Sequence, residues 1–307
     1  MESKLIGDTS EEEIATIMAN DRANQTITLR DGRRLGFAEY GDTSGKAVFH
    51  FNGSGGSRLE HPKDLSILTD LRVRLISTDR PGHGISEPQP GRKLLDWPGD
   101  VGQLADHLGI ENFYLEGWSA GGPHALACAY KMPDRVLAGA LVSGLAPPDR
   151  PNPYEGLPFA MKSLMVIGRN VPALVYLFRR MAYRMFQGDP DKVGDRLASS
   201  FPPPDQKAIE ESGSGDWLVE NIKEGYRQGW DGPAQDDILI NTPWGFKIEE
   251  IQARFDVWQG EVDRNVPLNQ GEYQNELLPN STLTVLPGQA HLYLLTHWRD
   301  VLKALVD

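Results

Sequence analysis

The chain has a single cysteine, so no disulfide can form within it. That residue, Cys128, lies among alanines in a stretch of helical composition, and we expect it to be a small core side chain. Histidine is also sparse, with seven in 307 residues, and no group of Cys and His has the spacing of a zinc site. The sequence therefore predicts neither a disulfide framework nor a bound metal.

Positive charge and long apolar runs are equally scarce. Lys and Arg number 31 against 43 Asp and Glu, which gives a formal net charge of −12. Sequence-independent binding to nucleic acid needs clustered cations that neutralise phosphates, so this balance argues against such a partner. No run of 18 apolar residues indicates a membrane span, and no apolar segment follows a basic start as in a secretory signal. We therefore expect a cytoplasmic protein.

Short apolar runs alternate with helical stretches over most of the chain. Examples of such runs are AVFHF, VRLIS, NFYLEG and RVLAGALVSG. This alternation is typical of βαβ units, so the sequence predicts the α/β class with a mostly parallel, doubly wound sheet. Glycine-rich or charged loops follow these runs, and functional loops lie at the carboxyl ends of the strands in such sheets.

The alternation lapses between residues 147 and 246, where proline clusters border a helical, apolar stretch. We interpret 147–246 as a helical insertion over the strand ends of a core that is formed by residues 26–146 and 247–307. Residues 1–25 are interpreted as an N-terminal extension that contains a short helix capped by Ser10.

The stretch EGWSAGG contains a Gly-x-Ser-x-Gly motif centred on Ser119. A strand precedes the motif and a helical stretch follows it, which is the setting of a nucleophile elbow. Gly117, Trp118 and Gly121 complete this elbow, and its glycines let the strand turn sharply and expose the serine. The sequence therefore predicts Ser119 as a nucleophile, and a serine nucleophile needs a general base and an orienting acid.

The base and the acid are predicted from the loops after the last two strands. His291 follows TLTVLPG, and Asp263 follows RFDVWQG, 28 residues earlier. Because both loops lie at the strand edge that carries the serine, we assign His291 as the base and Asp263 as the acid. Two other acids remain open as rivals, namely Asp149 after an earlier strand and the neighbouring Glu261.

The oxyanion of an attacked carbonyl needs backbone N–H donors, and two are predicted. Ala120 directly follows the nucleophile, and Ser54 lies in the glycine-rich loop NGSGGS after an earlier strand. This loop lacks the G-x-x-x-x-G-K-[ST] pattern of a phosphate cradle. The sequence therefore predicts no organic cofactor.

With Ser119, Asp263 and His291 in this chain order, the sequence resembles the α/β-hydrolase superfamily, in particular its capped serine hydrolases of the esterase and iminopeptidase-like branch. VFHFNGSGGSRLE is similar to the oxyanion segment H-G-x-P-G-S-R of that superfamily, and STDRPGHGIS is similar to its segment D-R-P-G-x-G-x-S. The likeness covers both core segments, and the helical insertion stands where the superfamily carries its cap.

Two positions depart from the pattern of the superfamily. Asn52 stands where His is usual, and Gly55 stands where Pro is frequent. Backbone donation from Ser54 survives such changes, whereas the shape and support of the loop need not. The resemblance assigns Asp79 and Arg80 structural roles only.

The residues and the resemblance imply a hydrolase that acts on a small molecule, with an ester or lactone as the first choice. An amide or a carbon–carbon bond could be cleaved by the same residues, and a non-catalytic ligand receptor could retain this fold. Apolar side chains of the insertion suit a hydrophobic acyl or aromatic substrate, and they are Phe159, Met161, Met165, Tyr176, Phe178, Met181, Tyr183 and Phe186. Most of them are expected to pack the insertion against itself and against the core. Arg179, Arg180 and Arg184 are expected on a solvated helix face, and contact with a carboxylate or with a membrane surface is the alternative. No oligomeric state is predicted.

Overall fold

An eight-stranded sheet passes through the centre of the molecule. The structure is a computed structural model that describes residues 22–188 and 190–307, so the helix predicted near Ser10 lies outside the described residues. The strands are β1 (Gln25–Thr28), β2 (Arg34–Gly41), β3 (Lys46–Phe51), β4 (Val73–Thr78), β5 (Phe113–Trp118), β6 (Val136–Val142), β7 (Arg254–Gly260) and β8 (Ser281–Leu286). Their order is β1-β2-β4-β3-β5-β6-β7-β8. β2 pairs antiparallel with both β1 and β4, whereas β3 to β8 run parallel to one another.

Helices connect the parallel strands. In chain order they are α1 (Ser66–Asp70), α2 (Trp97–His107), α3 (Gly121–Lys131), α4 (Phe159–Asn170), α5 (Pro172–Phe186), α6 (Pro190–Ser200), α7 (Pro203–Ser212), α8 (Gly215–Gly225), α9 (Asp231–Ile240), α10 (Leu268–Leu277) and α11 (Leu294–Val306). Single 3-10 turns cover Leu94–Asp96 and Ile248–Glu250. Within the part of the chain that the structure describes, none of these helices is long and apolar enough to cross a bilayer.

Apolar side chains cover both faces of the sheet, as a doubly wound architecture requires. Phe49 of β3 packs in a core with α2 and α3, and the neighbouring Val48 packs on the opposite face with α1 and α11. Cys128 of α3 is buried in the first of these cores, as predicted. This alternation along a strand buries both faces, and it confirms the predicted α/β class with a mostly parallel sheet.

The parallel strands bring the predicted site residues to one edge of the sheet. Ser54 follows β3, Ser119 follows β5, Asp263 follows β7 and His291 follows β8. The carboxyl ends of parallel strands meet at the same edge, so residues far apart in sequence become neighbours there.

Helices α4 to α9 lie between β6 and β7 in sequence and pack above this edge. Proline in the first turns of α5 and α7 suits helix initiation, and the left-handed Gly213 ends α7. Trp217 of α8 donates its indole N–H to the carbonyl of Leu59 at 2.9 Å, which ties the insertion to the loop after β3. The assignment of residues 147–246 to a helical cap insertion, with these bounds, stays a prediction.

Candidate active site

Ser119 stands at a sharp turn between β5 and α3. Its backbone φ is 53°, in the left-handed region that few residues other than glycine adopt. The Ser119 N–H donates to the carbonyl of Val142 at 2.9 Å, and the Ser119 carbonyl accepts from the N–H of Gly122 at 3.0 Å. This is the strand-to-helix turn that the Gly-x-Ser-x-Gly motif predicts.

The glycines of the motif allow close backbone contacts around this turn. A Cβ on Gly117 would lie 2.7 Å from the carbonyl oxygen of Gly121. A Cβ on Gly121 would overlap the carbonyl oxygen of Phe51 at the end of β3. A side chain at either position would push the strand and the helix apart, so packing accounts for both glycines.

His291 and Asp263 form a hydrogen-bonded pair, and His291 lines the same cavity as Ser119. His291 Nδ1 lies 2.8 Å from Asp263 Oδ2, and Asp263 Oδ1 accepts the backbone N–H groups of Asn265 at 2.8 Å and Val266 at 3.0 Å. The indole of Trp118 stacks beside the imidazole with ring centroids 6.3 Å apart. Because Asp263 occupies Nδ1, Nε2 is the ring atom left for a reaction partner.

The surroundings of this pair shift both pKa values. Burial alone raises the pKa of the Asp263 carboxyl, but His291 and the N–H of Val266 together hold that pKa below its ordinary value. Burial likewise disfavours the imidazolium of His291, yet Asp263, assisted by Asp205, raises the pKa of His291 above its ordinary value. The carboxylate stays ionised, and the imidazole readily takes up a proton, as a general base must.

Asp205 is a second carboxylate near His291 that sequence reasoning missed. It belongs to α7 of the insertion and accepts the backbone N–H of Leu292 at 2.7 Å. Its side chain is buried, and its Oδ2 has no hydrogen-bond partner among the described residues. Asp205 and Leu292 are 87 positions apart in the sequence, so no local sequence pattern could indicate this contact.

Two backbone N–H groups are available near the serine. Those of Ser54 and Ala120 have no acceptor in the described part of the chain. The loop that carries Ser54 approaches closely, since a Cβ on Gly53 would lie 3.8 Å from the Cβ of Ser119. Ser54, Ala120 and Ser119 line one cavity. Free donors beside a serine side chain have the placement that an oxyanion hole needs.

Arg80 supports this loop through the backbone carbonyls of Asn52 and Gly53. Its Nη1 donates to the carbonyl of Asn52 at 2.7 Å, and its Nη2 donates to the carbonyl of Gly53 at 3.0 Å. Asn52 itself donates its side-chain amide to the carbonyl of Thr78 at 2.9 Å. Arg80 is fully buried and pairs through Nε with Asp236 of α9. The structural role that the resemblance assigns to Arg80 therefore includes bonds to the loop backbone.

The cavity beside Ser119 has a volume of about 520 Å³ and lies between the core and the insertion. The insertion supplies most of its apolar wall, through Met161, Met165, Val175, Phe178, Ala182, Phe201, Leu218, Ile222 and Ile240. Two carboxylates also line it, and both have cationic partners. Glu60 Oε1 lies 2.9 Å from His50 Nε2, and Asp237 Oδ2 lies 2.5 Å from Arg179 Nε.

The expectation of a solvated arginine face was wrong for Arg179. Arg180 and Arg184 are exposed, whereas Arg179 reaches into the cavity wall and is only about 20% exposed. Its Nη1 donates to the hydroxyl of Tyr226 at 2.7 Å, and it pairs with Asp237 on another helix. These partners lie 47 and 58 positions away, beyond any helical spacing.

His50 also has partners that its place inside a strand did not indicate. Its Nδ1 contacts Glu116, and its Nε2 contacts Glu60. Burial disfavours the imidazolium, but Glu116 and Glu60 raise the pKa of His50 to about 9. Glu60 Oε1 also accepts the N–H of Gly53 at 3.2 Å, so this charged cluster lies directly beside the Ser54 loop.

The rival acids lie apart from the imidazole. Asp149 is exposed on the segment after β6. Glu261 accepts the backbone N–H of Gly288 at 2.8 Å, within the turn after β8. The carboxylate that contacts His291 is therefore that of Asp263.

Comparison with known proteins gives matches over most of the chain. A family model described as alpha/beta hydrolase fold matches residues 47–297. The chain is 22% identical over 274 residues to a bifunctional esterase/perhydrolase from Acinetobacter calcoaceticus. The aligned segment covers 86% of this chain and 92% of that protein. It is 36% identical over 114 residues to the dihydrolipoyllysine-residue acetyltransferase component of the acetoin cleaving system of Cupriavidus necator, which covers 37% of this chain and only 30% of that protein.

A solved structure matches the fold over nearly its whole length. The enol-lactonase from Burkholderia xenovorans superposes with a TM-score of 0.67 at 18% sequence identity, covering 92% of this chain and 98% of that chain. The segment that the family model matches contains all the predicted site residues from Ser54 to His291. The resemblance drawn from the sequence is therefore confirmed, and the chain belongs to the α/β-hydrolase fold family.

Proposed function

We propose that the chain is a serine hydrolase that cleaves a carboxylic ester or lactone of a small hydrophobic molecule. One observation carries the proposal. The strained Ser119 turn and the hydrogen-bonded pair of Asp263 and His291 meet at one largely apolar cavity. The relatives agree with hydrolase activity, since one bears the name esterase/perhydrolase and a structural neighbour bears the name enol-lactonase.

In the first half-reaction the acyl group moves to the serine. Ser119 Oγ attacks the carbonyl carbon while His291 Nε2 takes the hydroxyl proton. The N–H groups of Ser54 and Ala120 donate to the oxyanion that forms, and ionised Asp263 stabilises the imidazolium. His291 then gives its proton to the leaving alkoxide oxygen, the C–O bond breaks, and an acyl-enzyme remains.

In the second half-reaction water releases the acyl group. His291 takes a proton from the water as its oxygen attacks the ester carbon, and the same two N–H groups hold the oxyanion. The proton returns to Ser119 Oγ as the carboxylic acid leaves. With a lactone, the alcohol stays attached to the acyl group, so the product is a hydroxy acid. These steps need only protein side chains, backbone N–H groups and water.

The charges in the cavity favour a neutral substrate over an aminoacyl one. A substrate ammonium group would need a carboxylate that lacks a cationic partner. Glu60 already faces His50, and Asp237 already faces Arg179. The apolar wall from the insertion suits the acyl or alcohol part of a hydrophobic ester.

The test is turnover against p-nitrophenyl esters of increasing acyl length, simple lactones and aminoacyl p-nitroanilides. We expect the esters and lactones to be hydrolysed and Ser119→Ala to lose at least about 10³-fold in kcat. Faster turnover of the anilides would favour an amidase instead. Tight retention of a ligand with negligible turnover of every substrate class would favour a receptor.

The cytoplasmic location stays a prediction.

A further inference from the structure

Two charged residues of the insertion reach the hydroxyl of Ser54. Arg179 of α5 donates through Nη2 to Ser54 Oγ, and Ser54 Oγ donates to Asp237 Oδ1 of α9 at 3.0 Å. Arg179 and Asp237 also bind each other through two bonds, of 2.5 Å and 2.6 Å. The hydroxyl is therefore one corner of a closed triangle of hydrogen bonds, and the other two corners belong to the insertion.

The guanidinium of Arg179 is committed to these partners. Its Nε and Nη2 bind Asp237 and Ser54, and one N–H of Nη1 donates to the hydroxyl of Tyr226. Four of its five N–H groups are thereby used, so it presents no free pair of donors to a substrate carboxylate. Burial opposes its charge, but Asp237 raises the pKa of Arg179 and keeps the group cationic.

The neighbour of Asp237 on α9 is linked to the same loop through Arg80. Asp236 is buried and pairs with Arg80, and Arg80 donates to the carbonyls of Asn52 and Gly53. Two consecutive acids of one insertion helix are thus linked to the segment that carries Ser54. One acts through an arginine of the core, and the other acts directly on the hydroxyl.

The loop is rich in glycine, and within it the N–H of Gly56 donates to the carbonyl of Gly53 at 3.2 Å. Gly53, Gly55 and Gly56 surround Ser54, and Gly55 has a φ of 76°, where the superfamily frequently has a proline. Glycines leave a chain more conformational freedom than any other residue, so this loop needs external contacts to become rigid. The insertion supplies them at close range, since a Cβ on Gly225 of α8 would overlap the carbonyl oxygen of Gly55.

We propose that Arg179 and Asp237 are positioning residues, which hold the Ser54 side chain so that its backbone N–H stays directed at the oxyanion. The proposal rests on the proposed hydrolase function. It makes the contact between the insertion and the loop a requirement for catalysis rather than only a wall for the substrate. An oxyanion donor acts mainly in the transition state. Loss of the contacts from Arg179 and Asp237 to Ser54 should therefore lower kcat and leave KM nearly unchanged.

The test compares Arg179→Met, Asp237→Asn and Ser54→Ala with the wild type, using the p-nitrophenyl ester that the wild type hydrolyses fastest. Displacement of a catalytic group by about 1 Å can cost roughly 10²-fold in rate, so we expect kcat to fall about 10- to 100-fold with KM within about twofold. Arg179→Met combined with Ser54→Ala should lose no more than either single variant, because both remove the same contact.

Matched controls come from exposed neighbours on the same helices. Arg180→Met alters the adjacent arginine of α5, and Asp231→Asn alters an exposed acid of α9. Both should retain wild-type kcat. Hydrogen–deuterium exchange of the peptide that spans residues 52–58 provides a readout independent of turnover. Exchange there should be faster in Arg179→Met and Asp237→Asn than in the wild type and both controls.

The outcomes separate this proposal from the proposed function. If the wild type is active, an unchanged kcat in Arg179→Met and Asp237→Asn would overturn the positioning role. A raised KM with an unchanged kcat would also overturn it, because Arg179 would then be a substrate-binding group. Additive losses in the double variant would also overturn it. A wild type that hydrolyses neither esters nor lactones removes the proposed function, and the exchange data alone then decide whether Arg179 and Asp237 hold the loop.

Discussion

The reactivity proposed for Ser119 depends on what surrounds an ordinary hydroxyl. Its left-handed backbone costs on the order of 1–3 kcal/mol, and bonds to Val142 and Gly122 on either side help to offset that cost. His291 is oriented by Asp263, and Asp263 is held in turn by two backbone N–H groups. Each side chain is thus fixed by another contact, which leaves little reorganisation for the reaction itself.

At the residue scale, Asp263→Asn should move the acid limb of the pH–rate profile to lower pH. In the proposed mechanism neutral imidazole is the base, so wild-type kcat/KM should fall as pH drops through the raised pKa of His291. Without the carboxylate charge the pKa of His291 decreases. The plateau kcat should fall roughly 10⁴-fold, because an amide no longer holds the imidazole in the tautomer that has its proton on Nδ1 and a free Nε2. Rates from pH 5 to 9 measure both effects.

Glu261→Gln is the matched control for this profile, because that acid is exposed and its side chain accepts the backbone N–H of Gly288 in the turn after β8. It should leave both the acid limb and the plateau where the wild type has them. An acid limb that stays in place in Asp263→Asn would show that Asp263 does not govern the protonation of His291.

At the scale of elements, the packing of α3 against β3 depends on the absence of a Cβ at Gly121. Gly121→Ala would place a Cβ into the carbonyl oxygen of Phe51, so we expect a loss of roughly 2–4 kcal/mol in the free energy of unfolding. Gly99→Ala in α2 meets no atom within 4 Å and should gain about 0.5–1 kcal/mol. Urea titration followed by tryptophan fluorescence measures both. Equal stability of the two variants would contradict the steric account.

The elements of the core could be predicted because their signals are local. Strand alternation, the glycines around Ser119 and the order of the loops that carry Asp263 and His291 are all visible within short windows of sequence. Since parallel strands end at one edge, the meeting of those loops follows from the fold class alone.

The contacts of the insertion could not be predicted in the same way. Arg179 and Ser54 are 125 positions apart, and Asp236 and Arg80 are 156 positions apart. No periodicity joins such positions, because the pairing depends on how the insertion helices settle on the core. An arginine on a helix then resembles any other surface cation, and that resemblance explains the incorrect expectation for Arg179.

At the scale of the whole molecule, a buried arginine joins the core to the insertion. Arg58 Nη1 binds Asp79 at 2.9 Å and Glu224 of α8 at 2.6 Å, and its Nε donates to the carbonyl of Ala23 at 2.8 Å. Asp79 thereby has the structural role that the resemblance implies. Because the three side chains are buried together, the ion pairs couple segments that are distant in sequence.

Arg58→Met should destabilise the whole chain by roughly 3–5 kcal/mol, because it leaves Asp79 buried without a cation and leaves Glu224 with the exposed Arg227 as its cationic partner. We expect one cooperative transition in urea that shifts as a unit, whether it is followed by fluorescence or by circular dichroism. Arg299→Met removes an exposed pair with Asp70 and should cost less than about 0.5 kcal/mol. Comparable losses in the two variants would contradict the coupling through Arg58.

The central claim is that Ser119 is a nucleophile activated by His291. The most direct measurement is labelling of the folded protein with a fluorophosphonate probe, followed by mass spectrometry of its peptides. The account predicts one label per chain, located on Ser119, with no labelling of Ser119→Ala. A folded wild-type protein that takes up no label, or one labelled at another residue, would contradict it.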